Sequence, residues 1–136
     1  MQRVKSKQVV IFTDGVSKGN PGPAAIGATI KNEQGKIIAT ISQSIGKTTN
    51  NQAEYRAVIA ALEYAIRLGA NRVDMRSDSE LVVRQLNGQY RVKKVHLKTL
   101  YQQVKQLLSQ LEGYTINHIP REQNTEADRL ANIALK

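Results

Sequence analysis

Gln8-Val9-Val10-Ile11-Phe12-Thr13-Asp14-Gly15 is an apolar run of strand length that closes on a carboxylate and a glycine, the way a central strand runs into a loop. A first strand that ends by delivering Asp14 is therefore expected. Working outward, Ala24 to Lys31 and Lys36 to Ser44 are β-branched segments joined by the hairpin-like turn Asn32-Glu33-Gln34-Gly35, which makes three antiparallel strands at the start. From Asn51 to Leu68 the pattern changes to an Ala-rich period of 3.6, with Thr48, Thr49 and Asn50 as candidate caps and Gly69 as the stop; Glu54, Val58, Ala61 and Ala65 then share one face. Arg72 to Ser77 reads as a fourth strand, Ser79 to Leu86 as a short helix, Leu97 to Leu111 as an amphipathic helix, and Tyr114 to Ile119 as a last strand. Pro120 to Gln123 is a loop before a closing helix over Thr125 to Leu135. The order βββαβααβα predicts an α/β fold: a five-stranded mixed sheet, first three strands antiparallel, with helices on both faces.

No repeat or Pro/Ser linker divides the 136 residues, so one domain over 1–136 is expected, with residues 1–7 a flexible basic arm. The absence of cysteine excludes disulfide scaffolds, Cys-ligated zinc and thiol catalysis. With His96 and His118 as the only histidines, any metal falls to oxygen ligands, which suit Mg²⁺, Ca²⁺ or Mn²⁺. No apolar run approaches a membrane span, and Met1-Gln2-Arg3-Val4-Lys5 is followed by no apolar signal region. A cytoplasmic chain with no membrane partner is the expectation. The 20 Lys+Arg against 11 Asp+Glu give a formal net charge of +9, which attracts polyanions.

Four of the acids sit where a solvated carboxylate is not expected. Asp14 closes a buried strand, Glu54 lies on the buried face of an Ala-rich helix, Asp78 follows the fourth strand, and Asp128 falls in the first turn of the last helix. Ligands bind beyond the carboxyl ends of sheet strands, so Asp14 and Asp78 share one site if their strands are adjacent and parallel. Crowded carboxylates repel and raise one another's pKa, so the cluster makes sense when cations neutralise it. Taken singly, each also has a structural explanation, as a turn former or a helix-start acid.

Together these residues resemble type 1 ribonuclease H over nearly the whole chain, from Ile11 to Ala134. Ile11-Phe12-Thr13-Asp14-Gly15 with Gly19-Asn20-Pro21-Gly22-Pro23-Ala24 and Gly27 resembles the family's first strand, turn and second strand. Thr49-Asn50-Asn51-Gln52-Ala53-Glu54-Tyr55 resembles its first helix, Ser77-Asp78-Ser79 its third acidic motif, and Asn124-Thr125-Glu126-Ala127-Asp128-Arg129-Leu130-Ala131 its fourth. The resemblance implies that Asp14, Glu54, Asp78 and Asp128 are the metal-binding catalytic carboxylates. It implies two Mg²⁺ ions, with Mn²⁺ as a substitute, and hydrolysis of the RNA strand of RNA–DNA hybrids to 5′-phosphate and 3′-hydroxyl ends. Asn20, Asn50 and Asn51 stand where the family places its readers of the RNA 2′-hydroxyl, and Lys47 and Thr49 match its pocket for a DNA phosphate. No residue is expected to read base sequence.

The chain departs from the family pattern in two places. The loop that usually carries a catalytic histidine is short here, Pro120-Arg121-Glu122-Gln123, which leaves His118, Arg121 and Glu122 as auxiliary candidates. The basic protrusion of larger members is also missing, as in the compact branch of the family. Asn87-Gly88-Gln89-Tyr90-Arg91-Val92-Lys93-Lys94 stands in its place, with Arg91, Lys93 and Lys94 as candidate backbone contacts. Double-stranded RNA is a second candidate substrate, since its A-form geometry is close to that of a hybrid. The alternatives to a hybrid-cleaving enzyme are a non-catalytic nucleic-acid-binding module and a ribonuclease-H-like nuclease acting on DNA. A monomer without an obligate protein partner completes the expectation.

Overall fold

A computed structural model describes residues 7–136. Five strands, β1 (Gln8–Ser17), β2 (Gly22–Lys31), β3 (Ile37–Thr48), β4 (Arg72–Ser77) and β5 (Gly113–His118), form one sheet in the order β3-β2-β1-β4-β5. β1, β2 and β3 are antiparallel neighbours, while β4 runs parallel to β1 and β5 parallel to β4. The helices are α1 (Asn50–Arg67), α2 (Glu80–Leu86), α3 (Val95–Leu108) and α4 (Thr125–Ala134), with a single 3₁₀ turn at Arg121–Gln123. The element order and the mixed sheet are those expected.

One expectation is corrected. β1 does not end at Asp14 but runs on to Ser17, because its antiparallel pairing with β2 continues through Asp14↔Gly27 to Ser17↔Ala24. The parallel partner is what stops: the β1–β4 register ends at Thr13↔Ser77. Asp14 is thus the first β1 residue past the end of β4. The second and third strands are also longer than the β-branched runs suggested, since the ladder between them carries through Gly46, Lys47 and Thr48. Of the basic arm, residues 1–6 lie outside the described residues. Lys7 is bonded to the body, its N–H donating to Asn71 Oδ1 and its Nζ to the Leu68 carbonyl.

Why α1 forms where it does is visible at its start. Thr49 is the N-cap; its hydroxyl accepts from the Gln52 N–H while the Gln52 side chain accepts from the Thr49 N–H, closing a capping box. From there Ala53, Ala57, Val58, Ala61, Leu62 and Ala65 present a buried stripe of small residues. This stripe lets α1 lie close on the sheet, where it joins Val9, Ile11, Val73 and Met75 from the strands and Val82, Leu97, Val104 and Leu108 from α2 and α3 in one core. α4 packs on the other face through Ala127, Leu130 and Ala131.

Two glycines set the approach of the two helix layers. Adjacent strand positions face opposite sides, so Gly15 and the partner of Asp14, Gly27, look to opposite faces of the sheet. A Cβ at Gly15 would overlap the backbone of Ala53 and Glu54, and one at Gly27 the backbone of Ala127 and Ala131. Absence of a side chain at each is what seats α1 above and α4 below the same stretch of β1 and β2.

Candidate active site

The carboxylates meet because register and these close approaches converge. Asp14 and Asp78 each stand one residue past the last β1–β4 pair, Thr13↔Ser77, at the carboxyl end of the parallel pair. Gly15 draws in the first turns of α1, and its N–H donates to Glu54 Oε1 at 3.2 Å. On the far face, the contact at Gly27 brings the first turn of α4, and Asp128 with it, beside Asp14. Asp14, Glu54 and Asp78 each offer a carboxylate oxygen, and these atoms lie within 4.8 Å of one another. All four acids line one cleft of about 320 Å³ together with Gly15, Val16, Asn50, Ser79 and Arg121.

Electrostatically the cleft is under tension. Asp14 and Glu54 are 5% and 6% exposed. Burial pushes the Asp14 carboxyl far above the usual carboxylate range, and the neighbouring charge of Glu54 and a hydrogen bond with Asp128 push it further. Burial likewise raises Glu54, partly offset by the Gly15 N–H. Asp78 is also raised by burial, against the pull of the Arg121 guanidinium and the Asn124 side chain. Three carboxyl groups whose ionised forms are disfavoured by burial and by one another, with oxygens converging within 4.8 Å, form a hard-oxygen donor set. That set fits a divalent cation such as Mg²⁺, which would replace the protons and cancel the repulsion.

The other expected residues fall into three groups. Asn20, Lys47, Thr49, Asn50 and Asn51 gather at one rim, built from the β1–β2 turn, the end of β3 and the start of α1. Asn20 Oδ1 accepts the Asn50 N–H at 3.0 Å, Asn50 lines the cleft, and the Thr49 hydroxyl is engaged in its capping box. Among the short-loop candidates, Arg121 lines the cleft, whereas exposed His118, opposite Ser77 at the end of β5, and exposed Glu122 do not. Arg91, Lys93 and Lys94 are exposed in the α2–α3 connection and do not line the acidic cleft; Arg91 lines a separate cleft of about 590 Å³ with Tyr90, Lys98 and Tyr101.

One residue that touches this arrangement was missed from sequence. Asn124 is 1% exposed, and its Nδ2 donates to the Thr13 carbonyl at 2.9 Å. The signal was its position four residues ahead of Asp128, which reads equally well as an ordinary helix cap.

Comparison with known proteins agrees with this geometry. The family model described as "Reverse transcriptase-like" matches residues 12–134. Ribonuclease HI of Halobacterium salinarum is 42% identical over 135 residues, covering 99% of this chain and 68% of that protein. The bifunctional protein Rv2228c of Mycobacterium tuberculosis is 46% identical over 129 residues, 94% of this chain; the match spans only 35% of that longer protein. Among solved structures, LC11-RNase H1 in complex with an RNA/DNA hybrid superposes with a TM-score of 0.88 at 41% identity, covering 93% of this chain and 96% of that one.

Proposed function

Since the chain belongs to the type 1 ribonuclease H family, we propose that it hydrolyses the RNA strand of RNA–DNA hybrids as a sequence-nonspecific endoribonuclease, leaving 5′-phosphate and 3′-hydroxyl ends. The observation that carries this reading is the convergence of Asp14, Glu54 and Asp78 oxygens within 4.8 Å in a cleft shared with Asp128. The relatives support it: one is named a ribonuclease HI, and another was solved with an RNA/DNA hybrid. Asp14, Glu54, Asp78 and Asp128 would hold two Mg²⁺ ions, with Mn²⁺ as substitute. When bound, such ions supply an activated water and stabilise the leaving oxygen.

The chain's own residues account for the rest of the chemistry. Asp14 and Glu54 are raised toward neutral pH and above by burial, so loading of the site releases protons from them. Arg121 places a guanidinium in the same cleft, suited to a phosphate oxygen, and takes the auxiliary role we infer for the short loop. His118 and Glu122 stand outside the cleft lining. Asn20, Asn50 and Asn51 form the rim that reads the 2′-hydroxyl, with Lys47 and Thr49 beside it for a DNA phosphate. Arg91, Lys93 and Lys94 supply backbone contacts further along the hybrid. Base edges are left unread. We infer that the chain acts as a single-domain monomer in the cytoplasm; among the described residues no helix is long and apolar enough to cross a membrane.

The test is cleavage of one labelled sequence prepared as RNA–DNA hybrid, RNA duplex, DNA duplex and single strands, with Mg²⁺, Mn²⁺ or chelator. Metal-dependent cutting of the RNA in the hybrid is expected, and the RNA-duplex lane measures how broad the strand choice is. Hybrid binding without cleavage under either metal would leave a binding module; cutting of the DNA duplex would make it a DNA nuclease.

A further inference from the structure

We infer that Asn124 is a positioning residue that ties three of the four carboxylates into one geometry. This rests on the reading of the acidic cleft as a divalent-cation site. Three contacts carry it. The Asn124 Nδ2 donates to the carbonyl of Thr13, the residue immediately before Asp14, at 2.9 Å. Its side chain also faces Asp78 and favours the ionised form of that carboxylate. Its own carbonyl accepts the Asp128 N–H at 3.1 Å, so the backbone that carries Asp128 hangs from the same residue. The buried amide thus joins β1 just before Asp14 to the residue after β4, and the main chain of the same residue holds the first turn of α4.

The side chain does not serve the purpose its position suggests. Asn124 is the N-cap of α4, and an asparagine there ordinarily accepts from the N–H groups of the first turn. Here it makes no side-chain cap hydrogen bond. The amide is turned inward instead, with its donor end toward the Thr13 carbonyl and Asp78, and its buried Oδ1 has no hydrogen-bond partner among the described residues. The donor is committed to the Thr13 carbonyl, at the acidic edge. The chemistry of the site explains the residue type. Between a carbonyl and a carboxylate the position calls for a donor: aspartate would add a fifth carboxylate, serine is short by one atom, and alanine removes the tie.

The test separates positioning from stability. Asn124→Ala and Asn124→Ser are compared with Val104→Ala, a core truncation in α3, for thermal melting, for Mg²⁺ binding without nucleic acid followed by chemical shift of the Gly15 amide, and for the Mg²⁺ concentration that half-saturates cleavage. Loss of an outer group of this kind lowers metal affinity roughly 10–100-fold. We expect about a tenfold rise in the Mg²⁺ midpoint for both Asn124 variants by both readouts, and no such rise in Val104→Ala at comparable loss of melting temperature. An unchanged midpoint in a folded Asn124 variant overturns the proposal, as does an equal rise in the core variant. Should neither Asn124 variant fold, the wild-type side-chain amide decides: its NH₂ resonances shift with the Gly15 midpoint if Asn124 ties the site, and stay fixed if it does not. Failure of the wild-type protein to bind Mg²⁺ at all would instead overturn the reading of the cleft on which this rests.

Discussion

The Gly15 N–H donates to Glu54 Oε1 at 3.2 Å, in a place where the Gly15 Cα itself lies against the α1 backbone at Ala53 and Glu54. A strand residue with no side chain therefore sets both where the helix sits and where its carboxylate points. The same β1 segment carries Asp14 on its other face, against the α4 layer seated on Gly27. Glu54 from α1 and Asp128 from α4 reach one edge from opposite faces because the sheet carries no side chain at these two glycines.

Replacing Gly15 by Ala forces α1 outward, since the added methyl meets backbone that has no side-chain freedom with which to yield. Overpacking of this kind costs about 1–3 kcal/mol. We expect a folded but destabilised protein with cleavage reduced at least a hundredfold, and Gly27→Ala to act similarly by displacing Asp128. Wild-type turnover in a Gly15→Ala protein, measured beside its thermal melt, would show that α1 can move away from β1 without disturbing Glu54.

Asp14→Asn should abolish cleavage while making the metal-free protein more stable. The carboxyl is buried and surrounded by three other acids, so it is a liability to folding until a cation arrives. The gain from removing it grows as pH rises from about 4 toward the raised value, because the unfolded chain ionises there while the folded one resists. Urea unfolding in chelator checks this: a midpoint below wild type would mean that Asp14 makes favourable contacts that outweigh its burial.

The pH dependence of the metal-free protein follows with a definite sign. Asp14 and Glu54 have folded pKa values raised to about 9 and about 8, above their ordinary 3.8 and 4.5. The folded state holds protons that the unfolded chain releases, so their contribution is fully present below pH about 4 and is lost as pH rises toward the raised values. Melting temperature in chelator should fall from pH 5 to pH 9, and saturating Mg²⁺ should reverse most of that fall because the ion binds the folded state. A flat profile in chelator would contradict the raised values.

Arg121 and Glu122 are adjacent, yet Arg121 lines the acidic cleft and Glu122 does not. Arg121→Ala should lower turnover on hybrid by roughly 100-fold or more, the order expected for loss of a positioned donor at developing charge, while Glu122→Ala and His118→Ala stay within about twofold of wild type. Steady-state rates at saturating hybrid settle it, and a large loss in His118→Ala with none in Arg121→Ala would reverse the assignment.

Much of this site was legible in the chain before folding. Strand and helix periods are local, so the element order emerged correctly, and the acids stood out because Asp14 and Glu54 fall at positions that the apolar pattern marks as buried. The end of β1 was misplaced for a related reason: a local pattern shows where an apolar run stops, but pairing with β2 carries the strand on to Ser17. Arg121 and Glu122 were adjacent candidates in a short loop, with His118 on the strand before it, and a loop has no period to say which side chain turns inward.

Residue order, then, sufficed for the fold class, the basic charge and the identity of the four acids, because each depends on neighbours a few positions away or on composition. Their meeting did not follow from it. That required the β1–β4 register to stop at Thr13↔Ser77, two helices to close on Gly15 and Gly27 from opposite faces, and Asn124 to turn its amide from its own helix toward Asp78. These relations join residues up to 111 positions apart, and they are set by packing and desolvation in three dimensions, which leave no periodic trace along the chain.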